Sequence, residues 1–552
     1  MAVFSCDRSY NGVRVIKQGF SGFLKSERVA PSSGRAAQLK LLSGHERLML
    51  NSVGRRMTMR RALLVSMASC LLINAGTVFP QEPVDRAVIA KIRDEGLNRS
   101  QVEATFAHFT EVIGPRLTGS PAYKTAAEWA RDKLKAWGLA DPRLEAWEFG
   151  RGWTLEKFTL ELVEPRYMPL IGYPEAWSPA TAGELVAAPL FVGDKSAEEL
   201  EQLASKVKGA IVMTQPIQTS FVREDRQQPT EAIASPTSAP TPQRPQGGTN
   251  PQTSAQNVAR LIRAAGAGVV LRTSRGEHGT MFVLGRDAGA GAVPSVIVSA
   301  EHYNMIARMI QRGVSVKLRV NVQTRFHEDD KNGYNVIAEL PGTDPDLRDD
   351  IVMVGAHLDS WHSATGATDN ADGAAVVMEA MRILKAIGAR PQRTIRMALW
   401  GGEEQGLLGS RRYVERYVAG EANKAAREKY SVYFNIDPGT GPIYGWFLEG
   451  NEAVRPLFDA WLEPLRDLGA RRNVTQGIGN TDHLSFIRAG VPGFNPVQDY
   501  VNYDVRTHHT NVDTFERVRP ADLQQAAIVL ASFIYHAAVR QEKIPSGAAK
   551  SN

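Results

Sequence analysis

The chain has 552 residues, 43% hydrophobic and 22% charged, a balance that excludes a wholly disordered or fibrous protein and leaves room for several domains. Its net charge of +6 misleads: positions 1–80 hold twelve Lys/Arg against three Asp/Glu, a net of +9, so the remainder carries −3. A slightly acidic body does not point to nucleic acid, and because both cysteines, Cys6 and Cys70, also fall in that basic leader, disulfides and thiolate metal sites are excluded from the rest.

Residues 1–56 have no clear periodicity and read as an upstream extension, expected to be disordered. In residues 57–80, Arg60 and Arg61 precede an uncharged, mostly apolar stretch from Ala62 to Val78, the order of a secretory signal peptide. The stretch is short and interrupted for a bilayer span of about 20 residues. No permanent membrane span is therefore expected, and the protein is expected to be exported, to a periplasm or the extracellular space. Ala75-Gly76-Thr77 is an imperfect cleavage site. Lipidation of Cys70 is the alternative, although Met67-Ala68-Ser69 ahead of it is a poor lipobox.

From Val84 to about Trp137 the pattern is helical, with Ala126, Ala130, Leu134 and Trp137 at helical spacing and Gly138 as a stop. The segment Ile113 to Pro121 is a turn-rich loop ahead of that helix. Residues 150–325 differ. Short strand-like runs (Leu155 to Val163, Ala187 to Val192, Ala210 to Met213, Gly268 to Leu271, Val293 to Val298, Val314 to Val322) surround two helices, Gln256 to Ala265 and Ala300 to Gln311, and read as a small β-rich domain. Within it, residues 227–256 hold six prolines and no aromatic, too little apolar surface to order a segment, so a mobile loop is expected.

From Asn335 to about Tyr535 strands and helices alternate. The apolar run Ile351 to Ala356 reads as a strand buried on both faces. The strands Thr394 to Trp400, Val432 to Ile436 and Val491 to Pro496 follow, interleaved with helices Ala371 to Ile387, Gly409 to Tyr417, Glu452 to Leu468 and Pro520 to Val539. The pattern predicts an α/β fold, a mostly parallel mixed sheet flanked by helices.

Ligands in such sheets bind beyond the carboxyl ends of the strands, and acidic and imidazole groups recur there. His357-Leu358-Asp359 follows one strand, Gly401-Gly402-Glu403-Glu404 the next, and Asp437 a third. Asp369-Asn370-Ala371-Asp372 precedes a helix, and His508-His509-Thr510-Asn511-Val512-Asp513 comes late in the chain. Gathered without counter-charge, these groups would repel one another and desolvate badly. Nitrogen and carboxylate donors without thiolate suit zinc, with manganese or cobalt as alternatives. Two divalent ions would be neutralised by Asp369, Glu404, Asp437 and one hydroxide. Each element alone has a blander reading: Asp369-Asn370 as a helix N-terminus, Asp437 as a turn residue, Glu403-Glu404 as a solvated face.

Taken together, HLDSW, ATDNADG, LWGGEEQGLLGS, NIDPGTG, NTDHLSFIRAGVP and HHTNVDTF resemble the zinc exopeptidases of metallopeptidase family twenty-eight. The likeness runs from IGPRLTGS near residue 113 to the C-terminal helix. It implies a zinc exopeptidase fold with a catalytic domain in two pieces, 84–164 and 326–545, and a protease-associated domain at 165–325. It also implies two Zn2+ per chain, one on His357, Asp437 and Asp369, the other on Glu404, His509 and the same bridging Asp369. His509 is favoured over His508 because the family's ligand stands four residues before the acidic residue, here Asp513. Glu403 would be the general base, Asp359 would hydrogen-bond the ring of His357, and the Asp369–Asn370 peptide would be cis. His508 stands where one branch of the family has a Tyr that stabilises the oxyanion. The Asn370-Ala371 pair and His362 depart from another branch and bear on substrate choice.

The expected partner is a peptide substrate, with a homodimer admitted by the resemblance and no nucleic acid. The expected activity is hydrolysis next to a free terminus, as an aminopeptidase or dipeptidase. The alternatives are a carboxypeptidase, a one-zinc amide hydrolase or cyclising transferase, and a non-catalytic receptor-like protein; an intact ligand set with Glu403 argues against the last.

Overall fold

The computed structural model describes residues 82–229 and 251–547. The upstream extension, the 57–80 signal segment with Cys70, and most of the 227–256 loop lie outside the described residues. Among the described residues no helix is long and apolar enough to cross a membrane.

The central sheet has seven strands: β1 (Ala140–Glu148), β2 (Asn332–Leu340), β3 (Ile351–His357), β4 (Thr394–Trp400), β5 (Tyr430–Asn435), β6 (Thr440–Phe447) and β7 (Gly493–Asp499), in the order β1-β2-β4-β3-β5-β7-β6. The four central strands β4-β3-β5-β7 are parallel, and β1, β2 and β6 join antiparallel at the margins. All residues of β3 are buried, as its continuous apolar run requires. The helix Asp372–Ala386 carries the chain from β3 to β4 on one side, and the next crossover places β5 on the other side of β3. The strand order therefore reverses at β3, and the crevice of such a reversal lies at the carboxyl ends of the strands.

Helices cover both faces. On one, Asp372–Ala386 and Pro520–Val539 pack into the largest core, with Val376, Met381, Ile528 and Phe533 closed off from solvent. Both helices are buried nearly all round because each is enclosed between the sheet and further helices. On the other face, Trp400, Tyr413, Tyr433 and Phe486 form an aromatic cluster. Between β1 and β2, residues 152–327 build two more sheets. One is four-stranded, in which Gly152–Glu164 pairs with Lys317–His327 along its length; the other is five-stranded and buries Val212, Val269 and Val296.

The expected helices Ala300–Gln311 and Pro520–Val539 and the strand Thr394–Trp400 have the bounds read from the sequence. The span 452–468 is not one helix: it is 3-10 at Glu452–Val454, α at Arg455–Leu462 and 3-10 again from Glu463. Pro464 explains the second break, since it has no N–H to continue the ladder. The marginal strands β1, β2 and β6 are absent from the sequence reading. β1 (ADPRLEAWE) is half exposed and charged, so it lacks the apolar run that marks the centre of the sheet.

Candidate metal centre

Each candidate ligand stands where a structural element stops. β3 ends on His357, whose side chain is fully buried. Glu403 and Glu404 follow β4 through Gly401-Gly402, where Gly402 turns the chain with φ +69°. Asp437 follows β5, and Asp369 lies on the loop entering the helix Asp372–Ala386. That helix starts so close to the end of β5 that a Cβ at Gly373 would stand 2.7 Å from the Ile436 carbonyl oxygen. The Asp369–Asn370 peptide is cis, as the resemblance implies.

The geometry divides around Asp369. His357 Nε2 is 3.2 Å from Asp369 Oδ1 and 3.9 Å from Asp437 Oδ1. His509 Nε2 is 3.4 Å from Asp369 Oδ2 and 2.8 Å from Glu404 Oε2. Two three-residue sets thus share one carboxylate, one oxygen facing each set. His357 Nε2, Asp369 Oδ2 and Glu404 Oε1 are buried without a hydrogen-bond partner. Buried polar atoms are ordinarily paired, so orphans converging on one crevice fit cations, and an imidazole–carboxylate donor set fits zinc. His508 is also within reach: it, His509 and Asp369 offer atoms within 4.8 Å of one another.

The supporting groups are buried too. His357 Nδ1 lies 3.0 Å from the backbone oxygen of Asp359 and 3.6 Å from its carboxylate. The expected side-chain bond to the ring is therefore replaced by a main-chain one. The carboxylate is engaged elsewhere, accepting from Thr118 Oγ1 at 3.0 Å and from the N–H groups of Glu403 and Glu404 at 3.2 and 3.3 Å. Asp359 so ties the β3 loop to the β4 loop. Asp513 accepts from Thr368 N, Thr368 Oγ1 and Asp369 N, which sets the bridging residue. Arg116, wholly buried, donates to the carbonyls of Phe109, Gly114, Leu358, Thr365 and Gly366 and places a cation among the carboxylates.

Burial pushes the carboxyls of Glu403 and Glu404 well above the usual range, and neighbouring carboxylates add to it. Asp437 rises to about 6 for the same first reason. At Asp369 burial is outweighed by His357 and His509, which hold the carboxyl low. Burial opposes charge on His357, yet Glu403 and the ring's carboxylate neighbours raise it. The His508 ring, stacked on Tyr503 with centroids 5.1 Å apart, falls to about 4 through burial and then His509.

The structure therefore brings His357, Asp369, Glu404, Asp437 and His509 together, with Glu403, Asp359 and His508 beside them. The sequence reading assigned no role to Arg116 and Thr118: their segment is a turn-rich loop at the start of the likeness, and most of their partners, Leu358, Thr365, Gly366 and Asp359, stand more than 240 residues on. Asp482, buried behind the site with its carboxyl pushed up to about 7 by that burial, was visible only as part of a motif. A larger apolar groove lined by Leu200, Ala204, Val207, Leu261 and Ile262 offers one carboxylate, Glu201, and no histidine.

Residues 335–534 match the model of Peptidase family M28. Human Carboxypeptidase Q is 26% identical over 462 residues, covering 84% of this chain and 89% of its own. An Aminopeptidase of Pseudomonas aeruginosa (strain UCBPP-PA14) is 30% identical over 262 residues, 44% of this chain and 45% of the relative. The crystal structure of a Peptidase M28 precursor from Shewanella amazonensis SB2B superposes with a TM-score of 0.62 at 25% identity, covering 84% of this chain and 99% of that one. The motifs, the fold and the ligand-like crevice agree with the likeness of residues 335–534 to Peptidase family M28, and the protein is a metallopeptidase.

Proposed function

We propose that the protein is an exported di-zinc exopeptidase, an aminopeptidase or dipeptidase that hydrolyses peptide bonds next to a free terminus. The observation that carries this reading is the division of Asp369, with Oδ1 facing His357 and Asp437 and Oδ2 facing His509 and Glu404.

Two zinc ions held by those sets would supply Lewis acidity at the scissile carbonyl and lower the pKa of water towards about 7. The remaining work falls to the chain's own side chains. Glu403 binds no ion in this scheme; its carboxylate takes the proton of the attacking water and returns it to the leaving nitrogen. Its N–H is held by Asp359, which anchors its backbone beside the site. His508, kept neutral by burial, would donate a ring N–H to the developing oxyanion. Glu403, Asp437 and the 359–372 loop crowd one rim with negative charge, which suits a substrate ammonium.

On this reading residues 84–164 and 326–545 form the catalytic domain, and 165–325 a protease-associated domain that narrows the cleft. The leader 57–80 is removed on export, or Cys70 is lipidated, and a homodimer is the expected assembly. A second reading, a carboxypeptidase, is supported by the Carboxypeptidase Q relatives, which match over most of this chain.

Unblocked, N-acetylated and C-amidated dipeptides separate the two. Removing one partner of an ion pair formed on binding costs several kcal/mol, so N-acetylation is expected to lower kcat/KM at least ~100-fold, about 2.7 kcal/mol at 1.36 per decade. Equal hydrolysis of acetylated and free substrates, with loss on C-amidation, would transfer the assignment to a carboxypeptidase.

A further inference from the structure

His509 does not stand on a rigid element. It lies on the loop after Tyr503–Thr507 with φ +64°, a left-handed conformation that a non-glycine residue keeps only where its surroundings hold it. Two separate stretches of the β-rich region between β1 and β2 supply that hold. From one side, Val283 N–H donates to the His509 carbonyl at 3.0 Å, and Met281 exchanges bonds with Asn511, its N–H reaching Asn511 Oδ1 at 2.7 Å. From the other, Asp225 accepts the N–H groups of Asn502 and Val505 at 2.7 and 3.0 Å.

Arg226 completes the second clasp. Its Nε and Nη2 form a two-pronged pair with Asp504 at 2.8 and 2.5 Å, and its own N–H also reaches Asp504. The guanidinium lies over both Tyr500 and Tyr503, 5.1 and 5.3 Å from their ring centroids. Tyr503 stacks on His508, and the His508 ring lies 3.8 Å from that of His509. A continuous path of ion pair and stacked rings therefore runs from Arg226 to one member of the candidate ligand set. Among the described residues no comparable path from this region reaches His357, which is carried by the buried end of β3.

We infer that Asp225 and Arg226 are positioning residues for His509, by which the β-rich region sets the affinity of one of the two metal positions and leaves the other to the central sheet. The inference rests on the di-metal reading above. Residues that orient a ligand typically change metal affinity about 10–100-fold when removed. Lys at 226 would keep the charge opposite Asp504 but lose the planar fork and the stacking between two rings.

The test is equilibrium titration of the metal-free full chain with Co2+ alone, followed by its visible absorption, for the wild type and for Arg226→Ala, Arg226→Lys, Asp225→Asn and His509→Ala. The expected wild-type result is two classes of site, with His509→Ala identifying the class that contains His509. Arg226→Ala and Asp225→Asn should weaken that class by about 10-fold or more and leave the other class unchanged, with Arg226→Lys in between. Unchanged affinities, or equal weakening of both classes, would overturn the inference. Melting of the metal-free variants shows which of them fold; Asp225→Asn, nearly isosteric, carries the same test should Arg226→Ala not fold. A wild type with fewer than two classes would overturn the di-metal reading itself, and that outcome is recognised before any variant is compared.

Discussion

Asp369 offers the sharpest test of the paired site, because its two oxygens face different neighbours while Asp437 faces only one set. A ligand bound to the folded state alone stabilises it by about 2.7 kcal/mol per site at a free concentration 100 times its Kd. With zinc buffered at that level for both positions, the wild type should gain about 5.4 kcal/mol over its metal-free form, twice the single-site value. Asp437→Ala removes one donor from the His357 set and none from the other, 3.4 and 2.8 Å around His509, so about 2.7 kcal/mol of the gain should remain. Asp369→Ala removes a donor from both sets, and the gain should fall close to zero. The assay is urea unfolding of each variant with and without buffered zinc, each variant compared only with its own metal-free form so that packing losses cancel. If Asp369→Ala kept as much metal-dependent stabilisation as Asp437→Ala, the bridging assignment would be wrong.

Three further outcomes are expected. Glu403→Gln should keep the fold and the bound metal, because the Asp359 contact is made by the backbone N–H, and should lose about 10²–10⁴-fold in kcat; near-normal turnover would place the base elsewhere. Arg116→Ala should destabilise the chain by about 3–5 kcal/mol in urea, as for a buried charge removed from its partners, since it strands five buried carbonyls and leaves the nearby carboxylates without their cation; a loss below about 1 kcal/mol would contradict that account. At Glu95, burial alone would raise the carboxyl, but hydrogen bonds from Arg382 and Arg99 hold it below its ordinary value. A depressed folded pKa contributes stability that is present above the ordinary value of about 4.3 and lost as pH falls through the folded one. The stability gap between wild type and Glu95→Gln should therefore be widest near neutral pH and narrow in acid; a gap independent of pH would refute it.

The α/β alternation and the chemistry at the rim are legible in the order of the residues alone. β3 is a continuous apolar run because it is buried on both faces, and it ends on the donor His357; Glu403 and Glu404 follow β4 after two glycines. The family likeness, through its spacing to Asp513, favours His509 over His508 as the ligand, and His509 Nε2 stands 2.8 Å from Glu404 Oε2. How those donors are held follows from contacts between distant parts of the chain. Asp359 turns its carboxylate to the Glu403-Glu404 turn and its carbonyl to His357, a choice made by Thr118 from a distant part of the chain. Arg116 is legible locally as one residue in a turn, yet beside two nearby carbonyls it closes three from the distant 358–366 loop. The strained loop of His509 is fixed by Val283 and Asp225 from across the molecule. Local pattern records which face of a strand or helix meets the core, because that depends on periodicity. It does not record which distant hydrogen-bond donor reaches which buried acceptor, because that depends on how the elements pack.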